Sequence, residues 1–147
     1  MKRLTIAAAL LAAATLPVQA QVKPEDHVKQ RRAGMAVLGF NFANLSAMAQ
    51  EKKPYDKEDA GRSADLVAAL AAYPRMHFTD DTKGFAETKA KAEIYTKRAD
   101  FDSKMDKMNS EVKALPAAAR ADLPSLKKAV GEAGKTCKAC HDDYKDK

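Results

Sequence analysis

The stretch DLPSLKKAVGEAGKTCKACHDDY, Asp122–Tyr144, reads as a single helix and decides the architecture. Asp122 is a good N-cap, and Pro124 falls where a helix start tolerates the missing N–H. Leu126, Val130, Ala133, Cys137, Cys140, His141 and Tyr144 then recur at helical spacing and share one face. A helix with one apolar face must bury it against neighbours, so this stripe faces a core. Two thiols and an imidazole lie on the same stripe.

Those three side chains form Cys137-Lys138-Ala139-Cys140-His141, which is C-x-x-C-H, the attachment motif of a c-type haem. Thiols three positions apart can add to the two vinyl groups of one haem, and the adjacent imidazole is then within reach of the iron. Cys137 and Cys140 are the chain's two cysteines. A disulfide between them would close a tiny ring within one helix and staple nothing distant. A zinc site lacks a second ligand pair, since only His27 and His77 remain to be recruited. A redox-active C-x-x-C belongs in an alternating strand–helix context that this sequence does not suggest. The reading is one covalent haem c, with Cys137 and Cys140 as the thioether residues and His141 as the proximal axial ligand.

Outward from that helix, three more amphipathic stretches are predicted. The first starts at Lys23-Pro24-Glu25-Asp26 and runs to about Gln50, with Val28, Met35, Leu38, Phe42, Leu45 and Met48 or Ala49 on its apolar stripe. Lys53-Pro54 breaks it, and Asp56 caps a second helix over 57–73, ended by Pro74. Residues 74–88 form the least regular stretch, anchored by Phe78 and Phe85. The third helix covers 89–115, with Ile94, Arg98, Phe101, Met105, Met108 and Val112 on one side and Pro116 as its limit. Four such helices with mostly short connections predict an all-α, antiparallel four-helix bundle that holds its cofactor between facing helices.

The N-terminus bears on location. Lys2 and Arg3 precede an apolar run from Leu4 to Leu16, and Val18-Gln19-Ala20 has the small-residue spacing of a cleavage site. Residues 1–20 are therefore expected to be a cleaved signal peptide, and 21–147 the exported, periplasmic domain. The run is too short for a spanning helix, which needs ~20 apolar residues, so no stable membrane anchor is expected. The net charge is +6 for the full chain, from 26 basic and 20 acidic residues. The signs are mixed along the sequence, with no basic block or aromatic interleaving that suggests nucleic acid. Lys135, Lys138, Lys145 and Lys147 crowd the haem motif and could steer an acidic redox partner.

With the thiols and His141 on the final helix, the second face of the iron must look toward another helix. Met35 is the candidate there, and Arg31, one turn earlier on the same face, could offer its guanidinium to a haem propionate. A methionine on an apolar stripe is more often plain core. Met105 and Met108 sit mid-helix, where packing accounts for them, and His27 and His77 suit surface positions.

These residues resemble the class II c-type cytochromes, the cytochrome c′ family and its low-spin members. The resemblance rests on C-x-x-C-H near the C-terminus, on Arg31-x-x-x-Met35 in the first helix and on Lys53-Pro54-Tyr55-Asp56 after it. Ile94-Tyr95, Arg98 and Phe101 in the third helix extend it. It implies a four-helix bundle with Arg31 and Phe101 in the haem pocket, a protein that is not an enzyme, and a homodimer in many members. It also implies two iron chemistries. If Met35 is the distal ligand, the protein is a one-electron carrier; this is the expected function. The alternative is a five-coordinate iron that binds nitric oxide or carbon monoxide.

Overall fold

The computed structural model describes residues 22–85 and 87–147; the expected leader, residues 1–20, lies outside the described residues. Helix α1 spans Pro24–Ala49 and begins as its sequence dictates, with proline in the first turn followed by Glu25 and Asp26, whose charges suit a helix N-terminus. It closes through the Lys52 N–H, which donates to the Ala47 carbonyl at 2.9 Å, while Glu51 adopts the left-handed backbone at φ 57°. Helix α2, Lys57–Leu70, is capped by the Asp56 carboxylate, which accepts from the Asp59 N–H at 2.8 Å.

Three boundaries differ from the sequence reading, each for a physical reason. First, α2 ends at Leu70 instead of running to Tyr73, and single 3-10 turns follow at Tyr73–His77 and Asp80–Thr82. Pro74 disfavours helical backbone at the residue before it. Second, the third helix does not begin at 89. A short helix α3, Glu93–Thr96, precedes α4, Arg98–Val112. Residues 89–91 instead pair with the C-terminal tail: the Lys91 N–H donates to the Tyr144 carbonyl at 3.0 Å, and the Asp146 N–H to the Lys89 carbonyl at 2.8 Å. Third, Pro116 starts a helix as well as limiting one. It sits in the first turn of α5, Leu115–Ala121, whose alanines are strong helix formers. Helix α6, Leu123–Tyr144, then follows, with the Asp122 carboxylate accepting from the Ser125 N–H at 2.7 Å.

Helices α1, α2, α4 and α6 make an antiparallel four-helix bundle, and α5 wedges between α2 and α6. The α1–α6 register is antiparallel: Phe42 packs at Gly134, and Glu51, further along α1, pairs with Lys127, earlier on α6. One end of the bundle is a closed core of Leu45, Met48, Ala64, Leu115, Leu126 and Val130. Burying a side chain such as Leu126 contributes about 1.5–3 kcal/mol. Gly34 permits the crossing of α1 with the Tyr73 turn, since a Cβ there would fall 2.9 Å from the Tyr73 ring. Phe78 anchors the irregular segment, buried edge-on against Phe101 at 5.0 Å, while Phe85 is half-buried. Among the described residues no helix is long and apolar enough to cross a membrane.

The hydroxyl of Tyr55 donates to the Ala119 carbonyl at 2.8 Å and ties the α1–α2 connection to α5. Tyr55→Phe should lower stability by about 1 kcal/mol, the usual net value of such a bond. Thermal unfolding of the haem-loaded protein, followed by circular dichroism, measures this; an unchanged midpoint would mean the tie contributes nothing.

Candidate haem site

At the other end the helices diverge around a cavity of about 1100 Å³. Cofactor pockets usually span ~300–1,000 Å³, so this one is at the large end. Its walls come from facing helices: Met35, Leu38 and Phe42 of α1, Val67 of α2 with Ala71 just past its end, Met105 and Met108 of α4. Cys137, Cys140 and His141 of α6 complete it, so the whole motif opens onto one space. The half-burial of Met35, Leu38 and Phe42 follows from that, because the α1 stripe faces the cavity and not packed side chains. Gly39, one turn after Met35, also lines the wall, and a Cβ there would meet nothing within 4 Å.

Both thiols are free, with Cys140 buried and Cys137 half-buried. Burial pushes each pKa up. A redox-active or metal-activated thiol needs the opposite shift, so these cysteines do not suit disulfide-exchange chemistry. No group of three or more His, Cys, Asp or Glu side chains among the described residues could hold a metal ion, which leaves the zinc reading without a ligand set. The His141 imidazole is held below its ordinary pKa, first by the surrounding protein and then by Lys145. It is thus kept in the neutral form that can donate to a metal.

The structure brings Arg31 and Phe101 to the same region but not to the main cavity. Both line a neighbouring space of about 140 Å³, which shares Met35, Cys140 and His141 with the larger one. Arg31 is 2 % exposed. Its Nη1 donates to Thr82 Oγ1 at 2.9 Å and to the Tyr95 hydroxyl at 3.1 Å, and its guanidinium carbon lies 4.7 Å from the centre of the Phe78 ring. Its Nε and Nη2 are buried without partners. A buried guanidinium with two free donors is suited to a carboxylate, which the propionates of a haem supply. The donor set, the cavity and these orphaned nitrogens all fit a haem.

Two further expectations change. His27 and His77 are half-buried, not surface residues, and bond each other through their Nδ1 atoms at 3.0 Å. The lysines around the motif are partly neutralised: Lys135 pairs with Glu132 and Lys138 with Asp142 on their own helix. Lys145, one turn past His141, lines both cavities instead. Sequence reading missed Lys145 in that role, and also the rim residues Glu87, Thr88 and Lys89. The signal for Lys145 is its place four residues after His141, although it lies just past α6 in extended backbone.

The family model described as cytochrome C' matches residues 26–145. The chain belongs to the cytochrome c′ family. It is 35% identical over 126 residues to cytochrome c' of Rubrivivax gelatinosus, an alignment spanning 85% of this chain and 98% of the relative. Among solved structures, cytochrome c prime from Shewanella frigidimarina superposes with a TM-score of 0.82 at 36% identity, covering 87% of this chain and all of that one. A ferrous variant of cytochrome c prime from Alcaligenes xylosoxidans with bound NO superposes with a TM-score of 0.78 at 32% identity, over 87% of this chain and 100% of that chain. As a cytochrome c′ family member the chain is a haem protein, and its cofactor is one covalent haem c.

Proposed function

We propose that this protein is an exported cytochrome c′ that binds nitric oxide or carbon monoxide at its haem on the side facing α1. Cys137 and Cys140 form the thioethers, His141 is the proximal ligand, and Arg31 holds a propionate beside Phe101. The haem supplies a redox-active iron with one position toward α1. The observation that carries the reading is the α1–α2 wall of the cavity. Met35, Leu38, Phe42, Val67 and Ala71 present thioether and hydrocarbon there, and the one donor that α1 adds to this wall, Arg32, is exposed and paired with Glu87. An apolar distal wall favours nitric oxide and carbon monoxide over dioxygen, whose bound form is polar and gains most from a hydrogen-bond donor. The NO-bound relative supports the same direction. The role is binding, not turnover, and the leader-like residues 1–20 support a periplasmic location.

A second reading is favoured by Met35 itself, which lines the same cavity as His141 from the facing helix. If its sulfur bonds iron, both axial positions are filled and the protein is a one-electron carrier with a raised potential. Visible spectra decide between them. The gas-binding reading expects high-spin ferric protein at neutral pH, a ferrous form that takes up carbon monoxide, and a ferric spectrum little changed by Met35→Ala. A low-spin ferric spectrum that becomes high-spin in Met35→Ala would replace the first reading with the second.

A further inference from the structure

Four of the buried side-chain atoms that lack a hydrogen-bond partner belong to one corner of the molecule. They are Arg31 Nε, Arg31 Nη2, His77 Nε2 and Thr79 Oγ1. Arg31 reaches this corner from α1, and three groups hold it there: Thr82 Oγ1, the Tyr95 hydroxyl and, at 3.4 Å, the His77 carbonyl. Thr82 is in turn fixed by the Thr79 carbonyl, which accepts from its hydroxyl at 2.7 Å. The segment 77–82 is therefore the clamp on Arg31. What ties the start of that clamp to α1 is the His27–His77 bond, with the Tyr73 ring set edge-on to His77 at 4.7 Å.

We propose that His77, on the segment that clamps Arg31, is a proton-sensitive positioning residue for the haem: neutral, it keeps Arg31 clamped at the cavity edge, and protonated, it loosens that clamp. The inference rests on the reading that Arg31 holds a propionate. A single proton leaves the 3.0 Å Nδ1–Nδ1 bond in place, but a charged His77 must also carry a hydrogen on Nε2, which is buried with no acceptor. A charge on His77 also lies against the Arg31 guanidinium, which has no carboxylate partner among the described residues. The charged or titratable groups around His77 are His27 and Arg31 from α1, and Tyr73 from its own turn. Tyr95 of α3 is already engaged with Arg31. Arg75 of the same turn is engaged with Asp102 and Asp106 of α4, and Asp80 and Asp81 point to solvent.

The direction of the pH effect follows. Burial first, then His27 and Arg31, hold the His77 pKa below its ordinary value of 6.5. A group whose folded pKa lies below its unfolded one contributes fully above the unfolded value. That contribution drains away as the pH falls from 6.5 toward the folded value. The clamp is thus complete at neutral pH and weakened in mild acid.

The test titrates the haem-loaded protein from about pH 7.5 to about 4.5, the range in which imidazoles change charge, and follows the ferric Soret band. Wild type should show a one-proton spectral shift with its midpoint below 6.5. His77→Asn keeps a hydrogen-bonding group near the Nδ1 position but cannot titrate, and should lose the shift; His27→Asn leaves His77 titratable and should move the midpoint upward, because His27 is one of the groups that hold it down. Arg31→Lys should lose the shift, because the coupling runs through the guanidinium. A flat wild-type titration, or a shift that survives in His27→Asn with its midpoint unchanged, overturns the proposal. His27→Asn decides alone if His77→Asn does not fold. Failure of the haem reading itself is distinguishable, because a protein without haem has no Soret band to titrate.

Discussion

His141→Ala is expected to abolish the native visible spectrum while leaving the haem attached to the chain. In the proposed reading the two roles sit on different side chains of α6: Cys137 and Cys140 would hold the macrocycle covalently, and His141 would donate to the iron. Removing the imidazole should therefore leave a haem that remains with the polypeptide in denaturing gels but has lost its proximal donor. The His141 ring borders the cavity on an exposed part of the helix, so the space it vacates is accessible from solvent. Added imidazole should then restore much of the wild-type spectrum, a rescue that a merely structural role for His141 would not permit. Stability should fall too, because the ligand bond is made in the folded state only and its loss removes that linkage. A wild-type spectrum in His141→Ala would remove His141 from the iron.

How much of this was legible beforehand can be read residue by residue. The α6 stripe from Leu126 to Tyr144 was readable because one period, one cap and one motif coincide on it, and each of those residues is buried or lines the cavity. Asp56 and Asp122 were readable as caps because capping is local: a carboxylate and an N–H three residues on suffice. The start of the third helix was not. Lys89, Ala90 and Lys91 carry no signal that their backbone groups will pair with residues 144–146, and that long-range pairing overrides local helix propensity. Pro116 was misread because one residue can stop the helix before it and start the next, and sequence alone does not rank those uses. The His27–His77 bond is also tertiary, joining residues fifty positions apart. Arg31 is the intermediate case. Its place one turn from Met35 was visible in the spacing, whereas its clamp of Thr82, Tyr95 and the His77 carbonyl was not.

Cys137→Ser with Cys140→Ser is expected to turn a permanent cofactor into a removable one and, once the haem is extracted with acidified solvent, to cost the bundle its fixed packing. Magnitudes decide this. Small enclosed cavities cost roughly 24 cal/mol per Å³ when dry, a cost that a space of about 1100 Å³ could not sustain, so without haem it must admit water. A domain of this size is stable by only ~5–15 kcal/mol. Water entering through the open mouth relieves part of that cost, but it leaves Met35, Leu38 and Phe42 wetted at the cavity wall. The closed end, built on Leu45, Leu115 and Leu126, has no such deficit and should keep its helices associated. The stripped double-serine protein should therefore retain most of its far-ultraviolet helix signal, lose near-ultraviolet dichroism, and show rapid amide exchange in the N-terminal half of α1 and the C-terminal half of α6. Haem added back should restore packing through His141 alone, without covalent attachment. An apoprotein that unfolds at the same temperature as the haem-loaded protein would show that the space between α1 and α6 does not need filling, and the haem would then be a passenger in a bundle stable without it.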